Sequence, residues 1–345
     1  MTFSEVIGFF LCPPIRLFQM ATAFWVSQTL FAAAELEVFT TLEQRPLTKE
    51  EFCRALGMEL RPGQALLGGL SALGLVHVRA GRYANAPLAS QWLVRGKPDY
   101  LGDGLIMLGR RLYRPWGKLT QALRTNRPTS FNISVGELFD HLDRRPKELR
   151  MQVRGMHALS LIPARALAGC FNFSPYRHLA DLGGGSGVYA IEIARRFPRL
   201  KATIVDRPAV CPIAQEYVSA AGLKDRLAVE ARDIFSDPLP GGADVALLSQ
   251  VVHDYSPEDS LSLLRHVQEQ LPARGVLLLS EWVLREGRTG PLAASLMSLT
   301  MVVDTCGGRS YTHRELQELL LEAGFHSVTR RPLYGPAQLV IARKT

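Results

Sequence analysis

The segment Asp181-Leu182-Gly183-Gly184-Gly185-Ser186-Gly187 constrains this chain more than any other. It ends a short apolar run, His178–Leu182, and precedes Val188–Phe197, where Ile191, Ile193 and Ala194 can form a buried helical face. Glycines there let the backbone turn sharply from strand to helix and leave bare main chain for a ligand to lie against. The spacing is informative. A dinucleotide fingerprint reads G-x-G-x-x-G. Gly183 and Gly185 fill its first two positions, but Val188 stands at the third. A G-x-G-x-G loop behind an acid suits a nucleoside without phosphates better than a pyrophosphate.

Downstream the chain alternates. Strands are predicted at 201–206, 226–231, 244–249 and 275–283, and helices at 208–221, 257–271 and 311–323. Thr312 is the N-cap of the last helix and Gly324 lies just past its end. Late strands at about 326–334 and 338–343 close the sheet. This alternation specifies an open α/β sheet covered on both faces. Acids stand at its strand ends. Asp206 follows Asp181 by 25 residues and can accept both hydroxyls of a ribose. Asp233 ends the third strand and can accept from an adenine amino group, with Ile234 and Phe235 packing on the ring. Ser249 and Gln250, where the fourth strand ends, complete this binding set. The plainer reading is a tight turn with solvated acids.

The first hundred residues have another grammar. Phe18–Phe39 is predicted as one long apolar helix, and Thr48 with Glu51 reads as a capping box. Helices at about 49–56 and 61–73 precede a hairpin through Ala80-Gly81. Three helices and a hairpin describe a winged helix. Residues 98–170 read as a helical connector rich in Met, Leu and Arg. The expected division is therefore 1–100, 101–170 and 171–345.

At 47% hydrophobic and 21% charged, the chain has material for a large core, which rules out global disorder. No apolar run reaches the ~20 residues of a membrane span. The best, Met20–Leu36, is broken by Ser27, Gln28 and Glu35. The apolar stretch Val6–Leu11 has no basic residue before it, so a secretory signal is not expected. Five cysteines, at 12, 53, 170, 211 and 306, form no C-x-x-C pair. That argues against a disulfide framework or a zinc site and fits a reducing cytoplasm. No metal is expected. Residues 1–150 carry +6 of the formal charge of +8, densest from Arg110 to Arg127. A nucleic-acid face is one reading, a solvated helix face the plainer one.

The constellation resembles S-adenosylmethionine-dependent methyltransferases of the Rossmann-like class. More closely, the chain resembles the plant-type, acetylserotonin O-methyltransferase-like family, which includes bacterial natural-product enzymes. The marks are Asp181–Gly185, Arg232-Asp233-Ile234-Phe235 with Asp237-Pro238-Leu239-Pro240, Val252-His253-Asp254-Tyr255, Ser280-Glu281 and Glu322-Ala323-Gly324-Phe325. The resemblance covers nearly the whole chain. It implies S-adenosylmethionine as cofactor, a small aromatic substrate and a homodimer formed through the N-terminal domain.

His253 follows the fourth strand, whose carboxyl end faces the ligand crevice. An imidazole there is suited to removing a phenolic proton, and the resemblance makes it the general base. Glu281 matches an acid that orients it. Asp254 shapes the same loop or caps a helix. Here the chain departs from its relatives' pattern. Ser310 stands where a second glutamate is usual, and Tyr255 replaces a usual tryptophan. Asp304 is close enough in sequence to substitute for that glutamate. Candidates for the substrate wall are Met107, Trp116, Phe139, Met151, Met156, His157, Met297 and Met301, with ordinary core packing as the alternative for each. Of these, the resemblance favours Met156, Met297 and Met301.

Two other functions stay open. One is a transcription regulator reading DNA through residues 61–73, although that helix carries a single basic residue. The other is a cofactor-binding relative that does not transfer methyl groups, a reading prompted by Ser310.

Overall fold

The apolar stretch expected as one helix forms two. Helix α1 (Pro13–Glu35) and helix α2 (Val38–Gln44) meet at Glu37, whose backbone is left-handed with φ 55°. The computed structural model describes residues 13–130 and 141–345. The Val6–Leu11 run and Phe139 lie outside the described residues.

Two units divide after Arg110. In the first, α3 (Lys49–Ala55) starts at the expected capping box: Thr48 accepts from the Glu51 amide, and Glu51 accepts from the Thr48 amide. Helix α4 (Leu60–Ala72) leads into strands β1 (Val76–Arg79) and β2 (Arg82–Asn85). Their turn has positive φ at both Ala80 and Gly81, the geometry a two-residue hairpin needs. Helices α5 (Pro87–Trp92) and α6 (Gly102–Met107) follow. Phe39, Phe52, Leu67 and Leu70 are buried in this unit's core, while α1 exposes Leu17, Phe18, Phe24 and Trp25.

The second unit opens with the end of a π-turn (Leu108–Leu112), then α7 (Tyr113–Trp116), α8 (Leu119–Thr125) and the long α9 (Pro146–Cys170). From there strand and helix alternate: β3 (His178–Leu182), α10 (Val188–Arg196), β4 (Lys201–Asp206), α11 (Cys211–Ala220), β5 (Leu227–Ala231) and β6 (Val245–Ser249). Then come α12 (Pro257–Gln270), β7 (Val276–Trp282), α13 (Leu292–Asp304), α14 (His313–Glu322), β8 (Ser327–Tyr334) and β9 (Ala337–Arg343). Thr312 caps α14 with Glu315 in a second capping box.

The seven strands are ordered β5-β4-β3-β6-β7-β9-β8. The first five run parallel, and β9 is antiparallel to both its neighbours. Side chains alternate between faces along each strand. Leu179 and Leu247 pack under α9, α10 and α11, whereas Leu182, Leu248 and Leu279 pack under α12 and α14. The chain reverses direction across the sheet at β3, with β4 on one side and β6 on the other. A crevice at the carboxyl ends of such strands is where α/β sheets bind ligands.

Candidate active site

A cavity of about 530 Å³ opens at that crevice. Its floor is the glycine loop. Gly183, Gly185 and Gly187 all have positive φ (66°, 58° and 74°), which L-residues adopt at a cost of roughly 1–2 kcal/mol. A side chain at Gly183 would also meet Val251 at 3.1 Å, and one at Gly187 would meet Ile204 at 2.3 Å. At Gly185 a Cβ would meet nothing within 4 Å, so bare backbone borders open space. The Gly183 and Gly184 amides donate to the Val205 carbonyl, fixing the loop to β4.

The acids at the strand ends converge here. Asp206 accepts from the amides of Gly185 and Arg207, both at 2.8 Å, so it shapes the loop while keeping lone pairs for a ligand. Burial raises its carboxyl above the usual value. Asp181 is buried, accepts from the Ala190 amide at 3.3 Å and is pushed by burial to about 7. Asp233 accepts from the Phe235 amide at 2.8 Å, a local turn that sets Ile234 and Phe235 on the cavity wall. Ser249 and Gln250 also line it. Phe235 meets the ring of Tyr255 edge-on at 4.9 Å and 74°.

His253 lies in a 3₁₀ turn (Val252–Asp254) just past β6 and is buried. Its Nδ1 is 2.6 Å from Glu281 Oε2, and its Nε2 is 3.5 Å from Asp254 Oδ1. Glu281, near the end of β7, accepts from the amides of Val251 and Val252 with its other oxygen. Burial disfavours the charged ring, but the carboxylates of Glu281 and Asp254 outweigh it and raise His253 to about 9. Asp254 itself is raised to about 6 by burial. The imidazole does not line the cavity; Asp254 and Tyr255 on either side of the turn's end do.

Comparisons with known proteins follow the same outline. A model of the O-methyltransferase domain matches residues 116–326, and one of the O-methyltransferase dimerisation domain matches 18–95. The 3-hydroxy-5-methyl-1-naphthoate 3-O-methyltransferase of Streptomyces sahachiroi is 37% identical over 91% of this chain and 90% of its own. This chain belongs to the O-methyltransferase family. The acetylserotonin O-methyltransferase of Bos taurus is 35% identical over 94% of this chain and 96% of its own. The crystal structure of human N-acetylserotonin methyltransferase in complex with SAM has a TM-score of 0.90 at 30% identity, covering 97% of this chain and 98% of that one. The protein is an S-adenosylmethionine-dependent O-methyltransferase. Neither the DNA-reading regulator nor the non-methylating relative finds support among these proteins.

The donor set of this O-methyltransferase fits that cofactor. Asp206 and Asp233 offer acceptors for ribose and adenine, Ile234 and Phe235 offer an apolar slot, and Gly185 offers open backbone. The cavity's size is within the range for small-molecule sites.

The expected substrate wall is only partly assembled at the cavity. Met156 and His157 line it. Met107 and Met301 are instead 2% exposed and do not border the cavity. Trp116, Met151 and Met297 are partly buried and do not border the cavity. Methionine gives the same sequence signal in a core and in a ligand wall, so these were not separable. Asp304 does not bond His253. Its Oδ2 takes Arg111 at 2.7 Å, in a pair exposed by 8% and 12%, although its charge still favours the imidazolium. The Ser310 hydroxyl is buried without a hydrogen-bond partner among the described residues. Sequence reading missed Leu149, Gln152, Val153 and Ser160, which line the cavity from α9. Their signal was present: with Met156 and His157 they recur at helical spacing on one face.

Proposed function

We propose that this enzyme methylates a phenolic hydroxyl of a small aromatic or polycyclic metabolite, with His253 as general base. The reading is carried by one observation: the 2.6 Å contact of His253 with Glu281, in a turn whose next residue, Asp254, lines the cavity. Asp206 takes the ribose and Asp233, Ile234 and Phe235 the adenine. Asp181, Gly183, Gly185, Ser249 and Gln250 border the rest of the cofactor. When bound, S-adenosylmethionine supplies a methyl group already activated by a positive sulfur.

The chain's own residues then have three tasks. The cavity walls align the acceptor oxygen with the methyl carbon and exclude water. His253 receives the hydroxyl proton at Nε2 as the new O–C bond forms and the S–C bond breaks. Glu281 fixes the tautomer through Nδ1 and stabilises the imidazolium. His253 gives up its resting proton more readily once positive charge is bound in the cavity, because like charge disfavours the imidazolium.

Relatives named for a hydroxynaphthoate and for tetracenomycin polyketide synthesis support an aromatic acceptor. We assign 1–100 to dimerisation, 101–170 to the connector and 171–345 to catalysis. A homodimer agrees with the matched dimerisation region and with the apolar side chains exposed on α1. No metal, nucleic acid or membrane enters this reading, and we place the reaction in the cytoplasm. The test is a panel of phenols, catechols, indoles and polyketides with methyl-labelled cofactor. Label on an aromatic oxygen is expected; an acceptor consumed with no methylated product would overturn the assignment.

A further inference from the structure

Two contacts on the cavity wall have no part in the mechanism above. His157 Nδ1 lies 2.8 Å from the Ser186 hydroxyl, and the imidazole stacks on Tyr217 with centroids 4.0 Å apart and planes at 22°. Nearby on α9, Gln152 has a buried side-chain oxygen with no partner among the described residues. His157, Ser186 and Gln152 all line the cavity.

Ser186 sits between Gly185 and Gly187, both left-handed. Across 183–187 its hydroxyl is the loop's only side-chain handle. Its bond to His157 therefore ties the loop to α9. Sheet order says which end of the ligand this concerns. Asp233 follows β5 and Asp206 ends β4, so adenine and ribose lie over those strands. What remains to reach the β3 loop is the sulfur-bearing amino-acid end.

We propose that His157 is a positioning residue on the cofactor side of the cavity: by holding the Ser186 hydroxyl it sets the glycine loop that receives the cofactor's amino-acid end, and with Gln152 it forms the polar wall there. This rests on the reading that the cavity holds S-adenosylmethionine. The chemistry of the wall suits that end. Burial, with Arg195 adding to it, holds His157 down to about 4, so the ring is neutral at working pH. A neutral ring adds no repulsion beside a ligand that carries a sulfonium and an ammonium. The unpartnered Gln152 oxygen is an acceptor for that ammonium.

The test uses the full-length enzyme with His157→Phe, which keeps the stacked ring but loses the hydrogen bond, Ser186→Ala, and the double variant. Affinity for S-adenosylmethionine is read by calorimetry. Acceptor KM and kcat are read at saturating cofactor. Each single variant is expected to raise the cofactor Kd by about 2- to 10-fold, the scale of one lost hydrogen bond. The double variant should be no weaker than the worse single, because both remove the same bond. At saturating cofactor the loss should shrink, with acceptor KM changed less than the cofactor Kd, because the bond removed sets the loop on the cofactor side. If His157→Phe does not fold, Ser186→Ala reads the same bond from the loop side. A raised acceptor KM with unchanged cofactor Kd would return His157 to the acceptor wall and overturn the proposal, as would additive losses. Asp206→Ala separates the two readings. If it weakens cofactor binding while the other variants do not, this proposal alone fails. If it leaves binding unchanged, the cavity reading falls and the proposal with it.

Discussion

Glu281 holds both the ring and the backbone of the His253 turn: Oε2 meets His253 Nδ1 at 2.6 Å, while Oε1 takes the Val251 and Val252 amides at 3.1 and 3.0 Å. One carboxylate thus fixes where the imidazole sits and favours its charged form.

That charge sets the pH dependence of the reaction. With His253 raised to about 9, the free enzyme at neutral pH carries an imidazolium, and the base form grows as pH rises. The kcat/KM profile, which reports the free enzyme, should therefore climb with pH to a limb near 9. Glu281→Gln keeps an oxygen for the amides but removes the charge. The limb should then move to lower pH. A limb that does not move would separate Glu281 from the base.

Stability without cofactor should depend on Asp181. Its carboxyl is raised from 3.8 to about 7 by burial, so the folded chain holds a proton that the unfolded chain releases. That contribution is fully present below about 4 and is lost as pH rises through about 7. Asp181→Asn has no such proton to lose. Relative to wild type, its unfolding free energy should improve from pH 4 to 7 and level off above. Urea unfolding at pH 5 and pH 8 checks this. A difference that is the same at both values would contradict the buried-acid account.

Asp206 is assigned the ribose while it also receives the Gly185 and Arg207 amides. Asp206→Ala should weaken S-adenosylmethionine binding by about 1.5–3 kcal/mol, the scale for hydrogen bonds to a charged group. Calorimetry gives the value directly, and unchanged affinity would count against a nucleoside site at this edge.

Much of the fold was legible because its signals are local. Thr48 and Thr312 cap helices where their sequence patterns placed them, and the strands from β3 to β7 fall within one residue of their expected bounds. The glycine loop announced itself because few other residues tolerate its backbone. What escaped depends on contacts distant in sequence. The helix break at Glu37 has no glycine or proline to mark it. The insertion of β9 between β7 and β8 is a pairing choice between strands of similar character. The Arg111–Asp304 pair joins residues 193 apart. It takes the carboxylate that sequence order alone offered to His253. Gln152 and Ser160 line the cavity from α9, but a polar residue on a helix carries no sequence mark of the ligand it faces.

His253→Ala separates the imidazole's part in the reaction from cofactor binding. Methyl transfer from labelled S-adenosylmethionine to a phenolic acceptor should fall by about 100-fold or more, the usual scale for a general base, with cofactor affinity unchanged. Transfer at the wild-type rate would contradict the account.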